Sequence, residues 1–133
     1  MTNEKIKALA ELLNIDENEV SEDGELYKTK DHSVYFVLTE EEANEQMSVT
    51  VKESLWTFYP EFLSQTTGER LSVVKAYCDL DEDGNSYIEE VINKTIGMEN
   101  FVNKVVKVDG RGHYLSPYNG EENEMNGFFI YQA

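Results

Sequence analysis

Residues 33–43, Ser33-Val34-Tyr35-Phe36-Val37-Leu38-Thr39-Glu40-Glu41-Glu42-Ala43, decide the fold class. Val34, Tyr35, Phe36 and Val37 are β-branched or aromatic, the composition of a strand. Thr39 with Glu42 three residues on is a capping box: hydroxyl and carboxylate each satisfy a backbone N–H left free at the helix start. Glu40, Glu41 and Glu42 also favour the positive end of the helix dipole. Ala43, Met47, Val51 and Leu55 then recur every four residues, so the helix buries one stripe, which Trp56 and Phe58 widen. This helix is expected from about Thr39 to Phe58, with Leu55 and Trp56 largely buried. Pro60 breaks or kinks it, because Tyr59 is pushed away from helical geometry.

Towards the N-terminus, Leu26 to Thr29 reads as a second strand, separated from the first by Lys30-Asp31-His32. Asp16 to Glu25 is acidic, with Asp23-Gly24 as a turn signal. Ahead of it, Thr2 caps a helix with Ile6, Leu9, Leu12 and Leu13 on one face, ending near Asn14. Towards the C-terminus, Leu71, Val74 and Cys78 suggest a short helix after Gly68. Ser86 and Glu89 form a second capping box, opening a helix with Ile88, Val91, Ile92 and Ile96 inward and Gly97 as its stop. Phe101, Val102, Val105 and Val108 fit a further helix, although the β-branched run Lys104 to Val108 also fits a strand. Asp109 to Glu122, with four residues of glycine and proline, is loop or hairpin. Asn126-Gly127 is a turn signal and Phe128 to Tyr131 a closing strand. Strands early and late with helices between give an α+β fold, a small antiparallel sheet packed against several helices. At this length it forms a single domain over 1–133.

The charge asks for a reason of its own. There are 27 Asp and Glu against 11 Lys and Arg, a net charge of −16 on 133 residues. A small domain stays dispersed with about 2–8, and the excess costs stability through self-repulsion. Direct binding to nucleic acid or to an anionic membrane is disfavoured, because the basic residues are scattered and form no patch. No apolar run is long enough for a signal peptide or a membrane span. The single cysteine, Cys78, forbids an intramolecular disulfide and fits a reducing cytoplasm.

Three constellations are candidates for function. The stretch Asp79-Leu80-Asp81-Glu82-Asp83-Gly84-Asn85 to Glu90 matches the twelve-residue calcium-loop spacing. Asp79, Asp81, Asp83, Asn85 and Glu90 would be the ligands and Gly84 the bend. Against it, Ser86 stands at the usually apolar eighth position, no second loop exists, and Ser86 starts a helix without metal. Asp109, Arg111 and His113 fall within five residues and suggest a ligand loop or a small active site with His113 as general base; the plainer reading is a tight turn with Arg111 pairing Asp109. Third, carboxylates cluster at Glu40, Glu41, Glu42 and Glu45, and again at Asp79, Asp81, Glu82 and Asp83. Duplex DNA presents one charge per roughly 1.7 Å of axis, and carboxylates on helix faces and turns can imitate part of that array. Cys78, His32 and His113 are too solitary for zinc.

The segments Val37 to Glu45 and Ser54-Leu55-Trp56-Thr57-Phe58, and above all the tail DGRGHYLSPYNGEENEMNGFFIY from Asp109 to Tyr131, resemble a family of small proteins encoded by bacteriophages and prophages. The resemblance runs from about Val34 to the C-terminus and transfers no functional residue. It implies a context, the cytoplasm of an infected bacterial host. By analogy, many small acidic phage proteins counter host defence there by blocking nucleic-acid-binding machinery. The leading expectation is therefore a non-enzymatic inhibitor of the anti-CRISPR or anti-restriction type, without cofactor. Its acidic surface would occupy the nucleic-acid-binding site of a basic host protein. The alternatives are a calcium-binding module and a small enzyme built on the Asp109–His113 loop.

Overall fold

Val34–Leu38 forms β3, the central strand of a five-stranded antiparallel sheet of order β1-β2-β3-β5-β4. The computed structural model describes residues 3–133. The other strands are β1 (Val20–Asp23), β2 (Leu26–Thr29), β4 (Asn123–Met125) and β5 (Phe128–Gln132). Tyr35 and Val37 of β3 are buried on one face while Val34, Phe36 and Leu38 are half-buried on the other. Strand β5 lies beside β3, pairing Val37 with Ile130 and Phe36 with Tyr131. Two of the three hairpins are set by turn chemistry. Gly24 opens the two-residue β1–β2 turn at φ 64°, and Asn126-Gly127 closes β4 onto β5 with φ 56° and 82°, the type I′ signature.

The seven helices among the described residues are α1 (Glu4–Leu13), α2 (Glu40–Glu53), α3 (Pro60–Thr67), α4 (Leu71–Cys78), α5 (Asn85–Lys94), α6 (Met98–Asp109) and α7 (Arg111–Leu115). The architecture is thus α+β, as expected. The chain divides into two compact units, one of residues 1–46 with 110–133, the other of residues 47–109. In sequence, the second unit is an insertion between β3 and β4.

In the first unit, α1 buries Ala8, Leu9 and Ala10 against Val20, Tyr27, Tyr35, Val37 and Ile130. The expected cap, Thr2, lies outside the described residues; the side chain of Asn3 accepts the backbone N–H of Lys5 at 2.9 Å and of Ile6 at 3.4 Å. Asn14 ends the helix at φ 56°, a left-handed conformation that asparagine tolerates. The acidic stretch 16–25, in which the sequence marks only the Asp23-Gly24 turn, contains β1.

In the second unit, Leu63, Val74, Ile88, Ile92, Phe101 and Val105 are fully or almost fully buried. Phe58, Phe62 and Phe101 meet with ring centroids 5.6–5.9 Å apart.

Several expectations are corrected. Helix α2 stops at Glu53, and Leu55–Thr57 is a separate 3-10 turn. The stripe Ala43, Met47, Val51 and Leu55 is wholly buried as expected, but Trp56 is only half-buried. Pro60 does not merely interrupt. It stands at the first position of α3, where its missing N–H costs nothing. Ser86 and Glu89 make no capping box, because α5 has already begun at Asn85 and continues from a 3-10 turn over Asp81–Gly84. The β-branched run at Lys104 is helical, since Phe101, Val102 and Val105 share one buried face of α6. The supposed loop after Asp109 contains α7. No helix among the described residues is long and apolar enough to cross a membrane.

Candidate functional site

The capping box at the start of α2 is made as its spacing demands. Glu42 Oε1 accepts the Thr39 N–H at 2.9 Å, and Thr39 Oγ1 accepts the Glu42 N–H at 3.1 Å. Lys5 Nζ reaches the same Glu42 oxygen at 2.8 Å. The hydrogen bond from Lys5, then that from the Thr39 backbone, hold the Glu42 carboxyl below its usual range. Glu42 is therefore committed to the helix start and to α1. Glu40, Glu41 and Glu45 are exposed and carry no ion pair among the described residues. Glu41 and Glu45 stand one turn apart, which places them side by side on the helix surface.

The second acidic cluster is spread over a bend between helices. Asp79 follows α4, Asp81 takes φ 57°, and Asp81–Gly84 makes the 3-10 turn; Asp79, Asp81, Glu82 and Asp83 are all exposed. The residues of the calcium reading are separated by this path. The Asn85 amide serves the backbone: Oδ1 accepts the Trp56 N–H at 2.8 Å, and Nδ2 donates to the carbonyls of Glu53 at 2.8 Å and Lys52 at 3.3 Å. Glu90 accepts from Lys94 Nζ at 2.7 Å, one turn along α5, which lowers the Glu90 pKa and raises that of Lys94. Gly84 sits at φ −75° rather than in the left-handed region. Its missing Cβ has another cause, since a Cβ would lie against the Tyr77 carbonyl, 2.8 Å from its carbon. Among the described residues, no three or more His, Cys, Asp or Glu are grouped to hold a metal ion.

The Asp109–His113 segment is taken apart by its own glycine. Gly110, at φ 79°, separates the end of α6 from α7. His113 is exposed and meets the edge of Tyr114, with centroids 4.9 Å apart. Arg111 turns inward. Its Nε donates to Glu122 Oε1 at 2.8 Å and one terminal nitrogen to Asn44 Oδ1 at 3.0 Å, and its carbon lies 4.5 Å from the Phe129 ring centre. Arg111 thus has Glu122 as an ion-pair partner, which the sequence did not suggest. The buried Tyr131 hydroxyl donates to the same Glu122 oxygen; burial first, and that carboxylate second, drive its pKa well up. Gly112 is required beneath this network, because a Cβ would come within 2.9 Å of the Glu121–Glu122 peptide. Glu122, Asn44 and Tyr131 escaped sequence reading because they stand 11, 67 and 20 positions from Arg111.

The surface charge follows from this inventory. Among the described residues four ion pairs are present, at Asp23, Glu42, Glu90 and Glu122. Most of the remaining carboxylates are exposed. No protein-family model matches the chain, and neither the curated proteins nor the solved structures yield a match.

Proposed function

We propose that this protein is a non-enzymatic interaction protein whose acidic surface occupies a basic, nucleic-acid-binding site on another protein. One observation carries the reading: a net charge of −16 whose carboxylates stand mostly exposed, with ion pairs at Asp23, Glu42, Glu90 and Glu122 among the described residues. Such a surface attracts a cationic groove and steers the encounter. The resemblance to phage-encoded proteins supports a bacterial host as the setting, with action in its cytoplasm and a defence protein of the CRISPR or restriction type as target. Within the two clusters, Glu40, Glu41 and Glu45 and then Asp79, Asp81, Glu82 and Asp83 are the contact residues; Glu42 is committed to the fold.

The test begins with capture from host lysate at low salt. The captured protein is then challenged with duplex DNA, with RNA and with rising salt. Displacement by nucleic acid and weakening with salt are expected, because screening shortens to about 8 Å at physiological ionic strength. Charge reversal at Glu40, Glu41, Glu45, Asp79, Asp81, Glu82 and Asp83 should abolish capture and leave the circular dichroism unchanged. A folded reversal variant that binds at full strength sinks the reading.

A further inference from the structure

Tyr77 of α4 and Tyr87 of α5 stack with centroids 5.2 Å apart and planes 14° from parallel. The pair is not hidden. Tyr87 is 49 % exposed, and Leu80, whose Cβ stands 3.5 Å from where a Gly84 Cβ would point, is 48 % exposed. Two carboxylates flank Tyr87 along the chain. Asp83 lies one turn before Tyr87, and Glu90 follows three residues later on the same side of the helix. A cation already rests here, the Lys94 ammonium on Glu90. Stacked aromatic faces beside carboxylates reproduce what an unpaired, stacked strand of nucleic acid presents, bases beside phosphates. Proteins grip such strands by laying guanidinium planes on the bases and by pairing arginine with the phosphates.

We propose that the Tyr77–Tyr87 face, with Leu80, Asp83 and Glu90, is the docking surface for an arginine-bearing segment of a basic protein. The guanidinium lies on the outer face of Tyr87 and pairs with Asp83, and with Glu90 where it displaces the Lys94 ammonium. The inference rests on the acidic-interaction reading and narrows it: the partner's site is one that holds single-stranded nucleic acid. Charge complementarity calls for a cation, and the exposed ring selects arginine over lysine. A guanidinium is planar and weakly hydrated and stacks on aromatic faces, as Arg111 does on Phe129 in this chain, whereas an ammonium holds its water.

The experiment titrates isotopically labelled protein with an octa-arginine and an octa-lysine peptide at physiological salt, following backbone amide shifts. Octa-arginine should bind roughly three- to fivefold more tightly than octa-lysine, with shifts concentrated between residues 77 and 94. Tyr87→Ala should erase that preference and Tyr87→Phe should keep it. Lysine reversal of Glu40, Glu41 and Glu45 should leave the ratio unchanged. Equal binding of the two peptides, or shifts centred on residues 40–45, overturns this docking surface and leaves the acidic reading standing. Absence of binding by either peptide even at low salt overturns both.

Discussion

Replacing Gly84 by alanine sets two effects of opposite sign against each other. At φ −75° and ψ −18° the residue has helical geometry that any L-amino acid accepts. On backbone grounds alone, Gly84→Ala stabilises by about 0.8–1 kcal/mol, through helix propensity and a less flexible unfolded chain. Packing decides otherwise. The new Cβ would overlap the Tyr77 carbonyl oxygen and stand 2.8 Å from its carbon, and that obstacle is backbone rather than a yielding side-chain tip. The same carbonyl accepts the Leu80 N–H at 3.1 Å, so moving it strains the turn that joins α4 to α5. Overpacking of this kind costs about 1–3 kcal/mol, and the backbone origin places the expected net loss at about 2 kcal/mol. Urea unfolding followed by Trp56 fluorescence measures it, because the Trp56 N–H is tied to the neighbouring Asn85. The midpoint should fall at unchanged slope, by the same amount in calcium and in a chelator. A rise in stability, or a change within about 0.5 kcal/mol, would refute the close-approach argument. A loss seen only with calcium would restore Gly84 as the bend of a metal loop.

Three further outcomes are expected. Leu55→Ala should cost about 2–5 kcal/mol because Leu55 is fully buried, whereas Tyr59→Ala, 80 % exposed, should stay within about 0.5 kcal/mol in the same urea titration. Arg111→Lys keeps the charge but loses the fork that serves both Glu122 and Asn44. Thermal unfolding should show a loss of about 1.5–3 kcal/mol, and wild-type stability would exclude a role for the fork. Tyr131 titrates higher folded than unfolded, so its contribution is complete below the ordinary phenol value of 10.0 and is lost as pH rises beyond it. Stability should therefore fall with rising pH above 10, and less steeply in Tyr131→Phe; parallel curves for the two proteins would remove Tyr131 as the cause.

Local chemistry was legible because its partners are close in the chain. The β2 and β3 strands, the Thr39–Glu42 box, the Ala43-to-Leu55 stripe and the Asn126-Gly127 turn each depend on residues at most four apart, within the reach of one helical turn or one hairpin loop. Strand β1 escaped because Val20-Ser21-Glu22-Asp23 carries little β-propensity. It pairs with β2 through its backbone, and its charges suit a sheet edge that must not recruit a further strand. The Ser86 box failed for the converse reason. Its local pattern was sound, but α5 starts at Asn85 with Gly84 as its N-cap, two positions earlier than the box requires, where the Asn85 amide is tied to the carbonyls of residues 52 and 53.

By itself the sequence determined that this is an acidic α+β chain, where its central strand and capped helix lie, and that its charge far exceeds what solubility asks. Tertiary structure alone decided what the individual charged groups do. It bound Glu42 to Lys5, 37 positions away, and left Glu40, Glu41 and Glu45 to solvent. It sent Arg111 to Asn44 and Glu122 and away from the glycine-rich segment's suggestion of an active site. It also brought Tyr77 and Tyr87 face to face. The physical reason is range. Propensity and capping act over a few residues of chain, whereas a charge or a ring interacts with whatever the fold carries within a few ångströms, and contour distance along the sequence does not encode that neighbour.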